Sequence, residues 1–157
     1  MISTEIASAS LLHLLHRAGQ SADELFMLNI GKDSLTPRQF EVLKSVCESD
    51  EPSQSDLVVM TGIDRSTLAD IVRRMVERGL LARRRTKRDA RTYAVTITQQ
   101  GLDYLRACEP VVQKTNDHLL YGLSESDRET LIGALLKVIA SAKSRQPHAN
   151  QTTSYSA

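Results

Sequence analysis

The stretch Asp64-Arg65-Ser66-Thr67-Leu68-Ala69-Asp70-Ile71-Val72-Arg73-Arg74-Met75-Val76-Glu77-Arg78-Gly79, and the Leu80–Thr98 segment after it, decide how this chain folds. In the first half Leu68, Ile71, Val72, Met75 and Val76 recur at helical spacing. Asp64 is placed to cap that helix, which should run from about Arg65 to Arg78, and Gly79 is placed to stop it. Leu81–Arg85 and Thr92–Thr98 then switch to the two-residue alternation of strands, with Tyr93, Val95 and Ile97 on one side. The Lys87–Arg91 loop between them is too charged to be buried. A helix followed by a basic hairpin can set the helix in one DNA groove and lay the charged loop on the neighbouring backbone.

Working outward, two shorter helices precede this unit. Thr36-Pro37 gives a cap with proline at the first helical position, and Phe40, Leu43, Val46 and Cys47 supply that helix's buried stripe. Ser53 caps the next helix, with Asp56 as the acidic partner of a capping box. Leu57, Val58 and Met60 point inward before Thr61-Gly62 ends it. The turn Thr61-Gly62-Ile63-Asp64 is the right length to swing the following helix across this one.

Farther out, residues 4–29 read as one long helix that Asn29–Ser34 breaks. Helical periodicity returns from Gln99 to about Tyr121, with irregularity expected at Pro110. A last helix starts at Ser124–Asp127, with Leu131, Leu135, Val138 and Ile139 on its apolar face. The expected fold is mainly α with a small β-hairpin wing (α+β). A winged helix-turn-helix lobe spans 31–98, a helical dimerisation region comprises 1–30 and 99–143, and 144–157 form a disordered tail.

The 157 residues are about one domain's worth, and 41% hydrophobic with 25% charged residues is ordinary for a soluble protein. No run approaches a membrane span, and Met1–Glu5 lacks the basic flank of a signal peptide. Cys47 and Cys108 do not make a disulfide framework, so a cytoplasmic protein is expected. The net charge of +1 conceals an asymmetry: nine basic residues between Arg73 and Arg91 face only Glu77 and Asp89, so that stretch carries +7 and the remainder −6. One dense basic stripe on a neutral chain points to a local polyanion site.

Within that site, Arg65, Ser66 and Thr67 occupy the first turn of the fourth helix, the part of a recognition helix that reaches base edges. Arginine can grip guanine through two hydrogen bonds, and small hydroxyls can serve bases or phosphates. Asp70 and Arg73 continue the exposed face. Lys87, Arg88 and Arg91 crowd the hairpin tip, a repulsion that the negative potential of a narrow minor groove would relieve. Asp89 braces Arg91 across the turn.

These residues resemble a known family. Leu80–Arg84, Arg88-Asp89-Ala90-Arg91 and Val95–Gly101 resemble the wing signature of MarR-type regulators, and Leu35–Leu43 is similar to the start of that family's second helix. The resemblance covers about residues 30–143. It implies a homodimeric DNA-binding protein, usually a repressor, released by a small ligand or by oxidation. By position it implies DNA contacts at Arg65, Ser66, Thr67 and Arg73 on the helix and at Arg88 and Arg91 on the wing. Ser53 and Gln54 would meet phosphate from the third helix.

The terminal helices carry more apolar surface than this lobe can cover, which a second copy on a two-fold axis would bury. Two recognition helices roughly 34 Å apart would then read a pseudo-palindrome in double-stranded DNA. The resemblance places a ligand in the cleft between the dimerisation helices and the DNA-binding lobe. On the first helix His13, Arg17 and Gln20 share a flank and His16 sits beside them. Arg17 could fork the carboxylate of an aromatic acid or its conjugate, with Met27, Phe40 and Cys47 as apolar walls. Solvent-facing positions, or pairing across the dimer, remain open for Arg17 and the histidines. So does redox control through Cys47 or Cys108, although both look like small core residues. His13 and His16 are a close pair but His118 and His148 are distant, so no metal site is expected. With no phosphate loop or nucleophile motif, neither catalysis nor a cofactor is expected. A non-specific, nucleoid-type DNA binder stays open as an alternative.

Overall fold

Each described helix of this chain starts at a side chain that receives one of its first free N–H groups. The computed structural model describes residues 10–31, 34–85 and 93–145. Helix α1 (Leu11–Asn29) begins at Ser10, whose hydroxyl accepts from the His13 amide; the expected portion before residue 10 lies outside the described residues. Helix α2 (Pro37–Cys47) begins with the reciprocal pair Thr36 and Gln39, and α3 (Gln54–Thr61) with the reciprocal pair Ser53 and Asp56. Gly62 ends α3 in the left-handed conformation, at φ +70°. Two residues later Asp64 caps α4 (Arg65–Glu77), which Gly79 terminates at φ +74°. The amides of Gly79 and Leu80 bond back to the Val76 and Met75 carbonyls, the paired closure of a helix end that needs glycine.

The hairpin follows at once. Strands β1 (Leu81–Arg85) and β2 (Tyr93–Ile97) are antiparallel, with Leu81 opposite Ile97, Arg83 opposite Val95 and Arg85 opposite Tyr93. Its base is tied at two points. The Val95 amide donates to the Pro52 carbonyl at 2.9 Å and Ala94 bridges Ser53, which fixes the hairpin to the start of α3. The Thr98 hydroxyl faces the Gly79 and Leu80 carbonyls and accepts from the Gly101 amide, joining the end of α4 to the start of α5 (Gln99–Leu119). Gly101 is buried against Leu80, where a Cβ would run into the Leu80 carbonyl and the Ile97 side chain.

Leu35, Val42, Leu43, Leu57, Leu68, Val72, Met75, Leu80 and Val95 form the core of the lobe, all nearly inaccessible. Phe26 of α1 meets Phe40 of α2 at 5.8 Å between ring centroids, and α5 adds buried Cys108. Contacts divide the chain into two compact units, residues 1–119 and 120–157. Helices α1 and α5 therefore belong with the winged lobe, and the second unit contains α6 (Glu125–Arg145).

Several side chains depart from the periodicity reading. Cys47, expected in the core, is exposed: it is the last residue of α2, and the buried face is carried by Val42, Leu43 and Val46. Met60 is exposed because α3 turns Leu57, not its C-terminal end, into the core. Tyr93 is also exposed; it lies at the far end of the hairpin, where the Arg85 guanidinium stacks 6.0 Å from its ring. Helix α5 runs unbroken through Pro110, and α6 extends two residues into the expected tail, whose remainder, 146–157, lies outside the described residues.

Candidate nucleic-acid interface

Helix α4 buries Leu68, Ile71, Val72 and Met75 and so presents its opposite side to solvent. Along that side Ser66, Asp70, Arg73 and Glu77 stand at successive helical turns, all away from the core. Asp64 organises the first turn. Its carboxylate accepts from the Thr67 amide at 2.9 Å and from the Ser66 hydroxyl at 2.7 Å. Hydrogen bonds from Thr67 and Ser66 hold this carboxyl far below its ordinary 3.8. The Ser66 hydroxyl proton is thus engaged within the chain, leaving its lone pairs outward. Arg65 leans toward α3, its guanidinium 3.4 Å from the Ser55 hydroxyl.

Arg73 is held more firmly. Its guanidinium bonds Asp70 at 2.6 Å and Glu77 at 2.7 Å, while Arg74 takes the second Asp70 oxygen at 2.8 Å. The hydrogen bond from Arg73, then the charge of Arg74, lower the Asp70 pKa. Sequence spacing put Arg73 on the outer face but did not reveal that two carboxylates bracket it.

Ser53 and Gln54 sit at the start of α3, beside β2. The Ser53 hydroxyl serves its helix cap, and hydrogen bonds from Ser53 lower the Asp56 pKa. The Gln54 Nε2 is enclosed and has no hydrogen-bond partner among the described residues. On the hairpin Arg83, Arg84 and Arg85 are exposed. Lys87, Arg88, Asp89 and Arg91, the expected wing tip and its brace, lie outside the described residues.

Behind this surface is a cavity of about 570 Å³ within the first unit. Phe26 and Phe40 give it an aromatic wall, and Asp23, Arg38, Glu41, Thr115 and Asn116 add polar groups. Thr61, Gly62, Ile63 and Asp64 also line it, so the turn that joins α3 to α4 is part of the wall. Of the residues expected to hold a ligand, Phe40 alone lines this cavity. His13, His16, Arg17 and Met27 are exposed on α1, and Cys47 is exposed at the far end of α2. The α1 side chains that reach the cavity are Ala22, Asp23 and Phe26, more than a turn beyond Arg17; periodicity fixed the helix but not which end faces the cleft. Among the described residues no His, Cys, Asp and Glu cluster is arranged to hold a metal ion.

A three-helix lobe with a basic two-stranded wing, a capped helix presenting polar groups outward and a hairpin tied to the helix before it define a winged helix-turn-helix DNA-binding protein. The MarR family profile matches residues 33–92. The chain is 30% identical over 147 residues to the proposed transcriptional regulatory protein for the hcr operon of Thauera aromatica, covering 84% of this chain and 87% of that one. It is 28% identical to the HTH-type transcriptional repressor NicR of Pseudomonas putida, over 82% of each. Among solved structures, Bordetella bronchiseptica BpsR, whose DNA binding is regulated by 6-hydroxynicotinic acid, aligns with a TM-score of 0.79 and 30% identity, covering 83% of this chain and 94% of that one. This chain belongs to the MarR family of transcriptional regulators. No described helix is long and apolar enough to cross a membrane.

Proposed function

We propose that this protein is a homodimeric, sequence-specific repressor that binds a pseudo-palindromic operator and leaves it when a small aromatic acid occupies the cavity. One observation carries the reading: the cavity wall includes the turn Thr61–Asp64 that sets the angle of the recognition helix. A ligand pressing on that turn acts directly on the position of Arg65 and its neighbours. NicR, a repressor by name, and BpsR, regulated by 6-hydroxynicotinic acid, support both halves of the proposal.

In this reading Arg65, Ser66 and Thr67 meet base edges and phosphates in the major groove. Ser53 and Gln54 meet the backbone from α3, and Lys87, Arg88 and Arg91 enter the minor groove with Asp89 bracing the tip. Dimerisation uses the apolar surface that α1 exposes at Leu11, Leu12, Leu14 and Leu15 and that α6 exposes at Leu131, Leu135 and Ile139. The protein acts in the cytoplasm, with no catalytic step and no cofactor.

The chemistry of the cavity narrows the effector. Among the described residues Arg38 is the one cation on a wall that also has Asp23, Glu41 and Asp64. A ring bearing a carboxylate for Arg38 and a hydroxyl or ring N–H for an acidic acceptor satisfies both, with Phe26 and Phe40 against its faces. Control by oxidation has less support. Burial pushes the Cys108 thiol up, away from the reactive thiolate, and leaves exposed Cys47 as the thiol to test.

The test is release of DNA footprinted upstream of the protein's own gene. Fluorescence anisotropy with 6-hydroxynicotinate, 4-hydroxybenzoate and their thioesters should find a releasing compound. Arg38→Ala should lose that response while Arg17→Ala keeps it. Equal responses of the parent and Arg38→Ala would remove the carboxylate from this cavity. Release by peroxide that Cys47→Ser abolishes would favour oxidation instead.

A further inference from the structure

The outward face of α4 is unusual for a surface that meets a polyanion, because Asp70 at its centre and Glu77 at its C-terminal end are acids. The ordinary account is a solvated helix with ion pairs at three- and four-residue spacing. Such exposed pairs contribute little to stability, whereas carboxylates in a major groove are repelled by phosphates on both sides. Here the repulsion is cancelled locally. Arg73 spans Asp70 and Glu77, and Arg74 holds the other Asp70 oxygen. The four side chains sum to zero charge, so this face attracts DNA through no net charge of its own.

What remains on Asp70 is acceptor capacity. An ionised carboxylate has about four lone-pair sites on its two oxygens, and each oxygen is occupied by one guanidinium. Its side chain is 43% exposed, one turn beyond Ser66. In the major groove an acceptor-only group meets the cytosine N4 amino group; guanine O6 and N7 and thymine O4 repel it, and adenine sets its N7 acceptor beside its N6 amino group. From this geometry we infer that Asp70 reads a cytosine amino group in each half-site and that Arg73 is a positioning residue that aims it. Arg73 is then not a base reader, unlike the role its place in the family pattern implies. The inference rests on the sequence-specific dimer proposed above.

Selection from a randomised duplex library with the full-length protein tests it. The parent should enrich a two-fold motif with a cytosine at one fixed place in each half. Asp70→Ala should lose preference at that place alone, by on the order of tenfold. It should also bind non-operator DNA more tightly with a steeper salt dependence, because it frees Arg74 and leaves Arg73 with Glu77 alone. Asp70→Asn should shift the same place toward adenine, whose N6 and N7 suit an amide. Arg73→Ala should weaken that place and no other. An Asp70→Ala motif identical to the parent's, or Arg73→Ala losing a guanine elsewhere, would overturn the assignment. A parent that enriches no motif would overturn the sequence-specific reading itself, and this inference with it.

Discussion

At the scale of single residues, small side chains hold the junctions on which the interface depends. Gly101 is the tightest of them. Gly101→Ala forces a methyl group against the Leu80 carbonyl and should lower unfolding free energy by about 1–3 kcal/mol in urea titration. Asp64 is a second. Its folded pKa lies below its unfolded value, so its contribution is complete above the ordinary 3.8 and is lost as pH falls through the folded value. Asp64→Asn keeps the cap geometry and removes that dependence. The melting temperature of the variant should therefore fall less steeply than the parent's below about pH 4. Arg65→Ala, at the same helix start, should relax preference at one base position of each half-site in a binding-site selection. The caps and stops were legible in the sequence because they are local: Thr36, Ser53, Asp64, Gly62 and Gly79 act on neighbours a few residues away, whereas the close approach of Gly101 to Leu80 was not. Cys47, Met60 and the partners of Arg73 were not, since burial at a helix end and the choice among nearby carboxylates depend on packing.

At the scale of elements, the wing and the helix-turn-helix are one mechanical piece. The Pro52 carbonyl and Ser53 bond β2, while Ser53 also caps α3. Ser53→Ala removes the cap and should cost about 1 kcal/mol of stability, with a larger loss of operator affinity if the wing shifts with it. Both outcomes can be measured on one preparation, by urea titration and by anisotropy. The hairpin was legible because Gly79 stops the helix before it and a charged loop splits its strands, although neither strand alternates strictly in burial. The cavity was not legible: its wall draws on α1, α2, the α3–α4 turn and α5, residues distant in sequence that only the fold brings together. Phe40 was the one expected ligand-site residue that lines the cavity, and that expectation came from the family resemblance, not from periodicity. The Arg17 flank lies nearer the N-terminus of α1 than the part that reaches the cleft.

At the scale of the whole molecule, charge and apolar surface divide the labour. The segment from Arg73 to Arg91 carries +7 against −6 elsewhere. Exposed leucines of α1 and α6 leave surface for a second copy. Replacing Leu131 and Leu135 with Glu should give a folded monomer in sedimentation and weaken operator binding by tenfold or more, because one half-site alone must then hold it. The central claim is that this surface serves a two-fold, sequence-specific reader. Its most direct test is a footprint on genomic fragments at physiological salt with excess competitor DNA. The account predicts one retained site, protected symmetrically over two half-sites about one helical turn apart. Affinity lost equally from every fragment would contradict it and leave a purely electrostatic DNA binder.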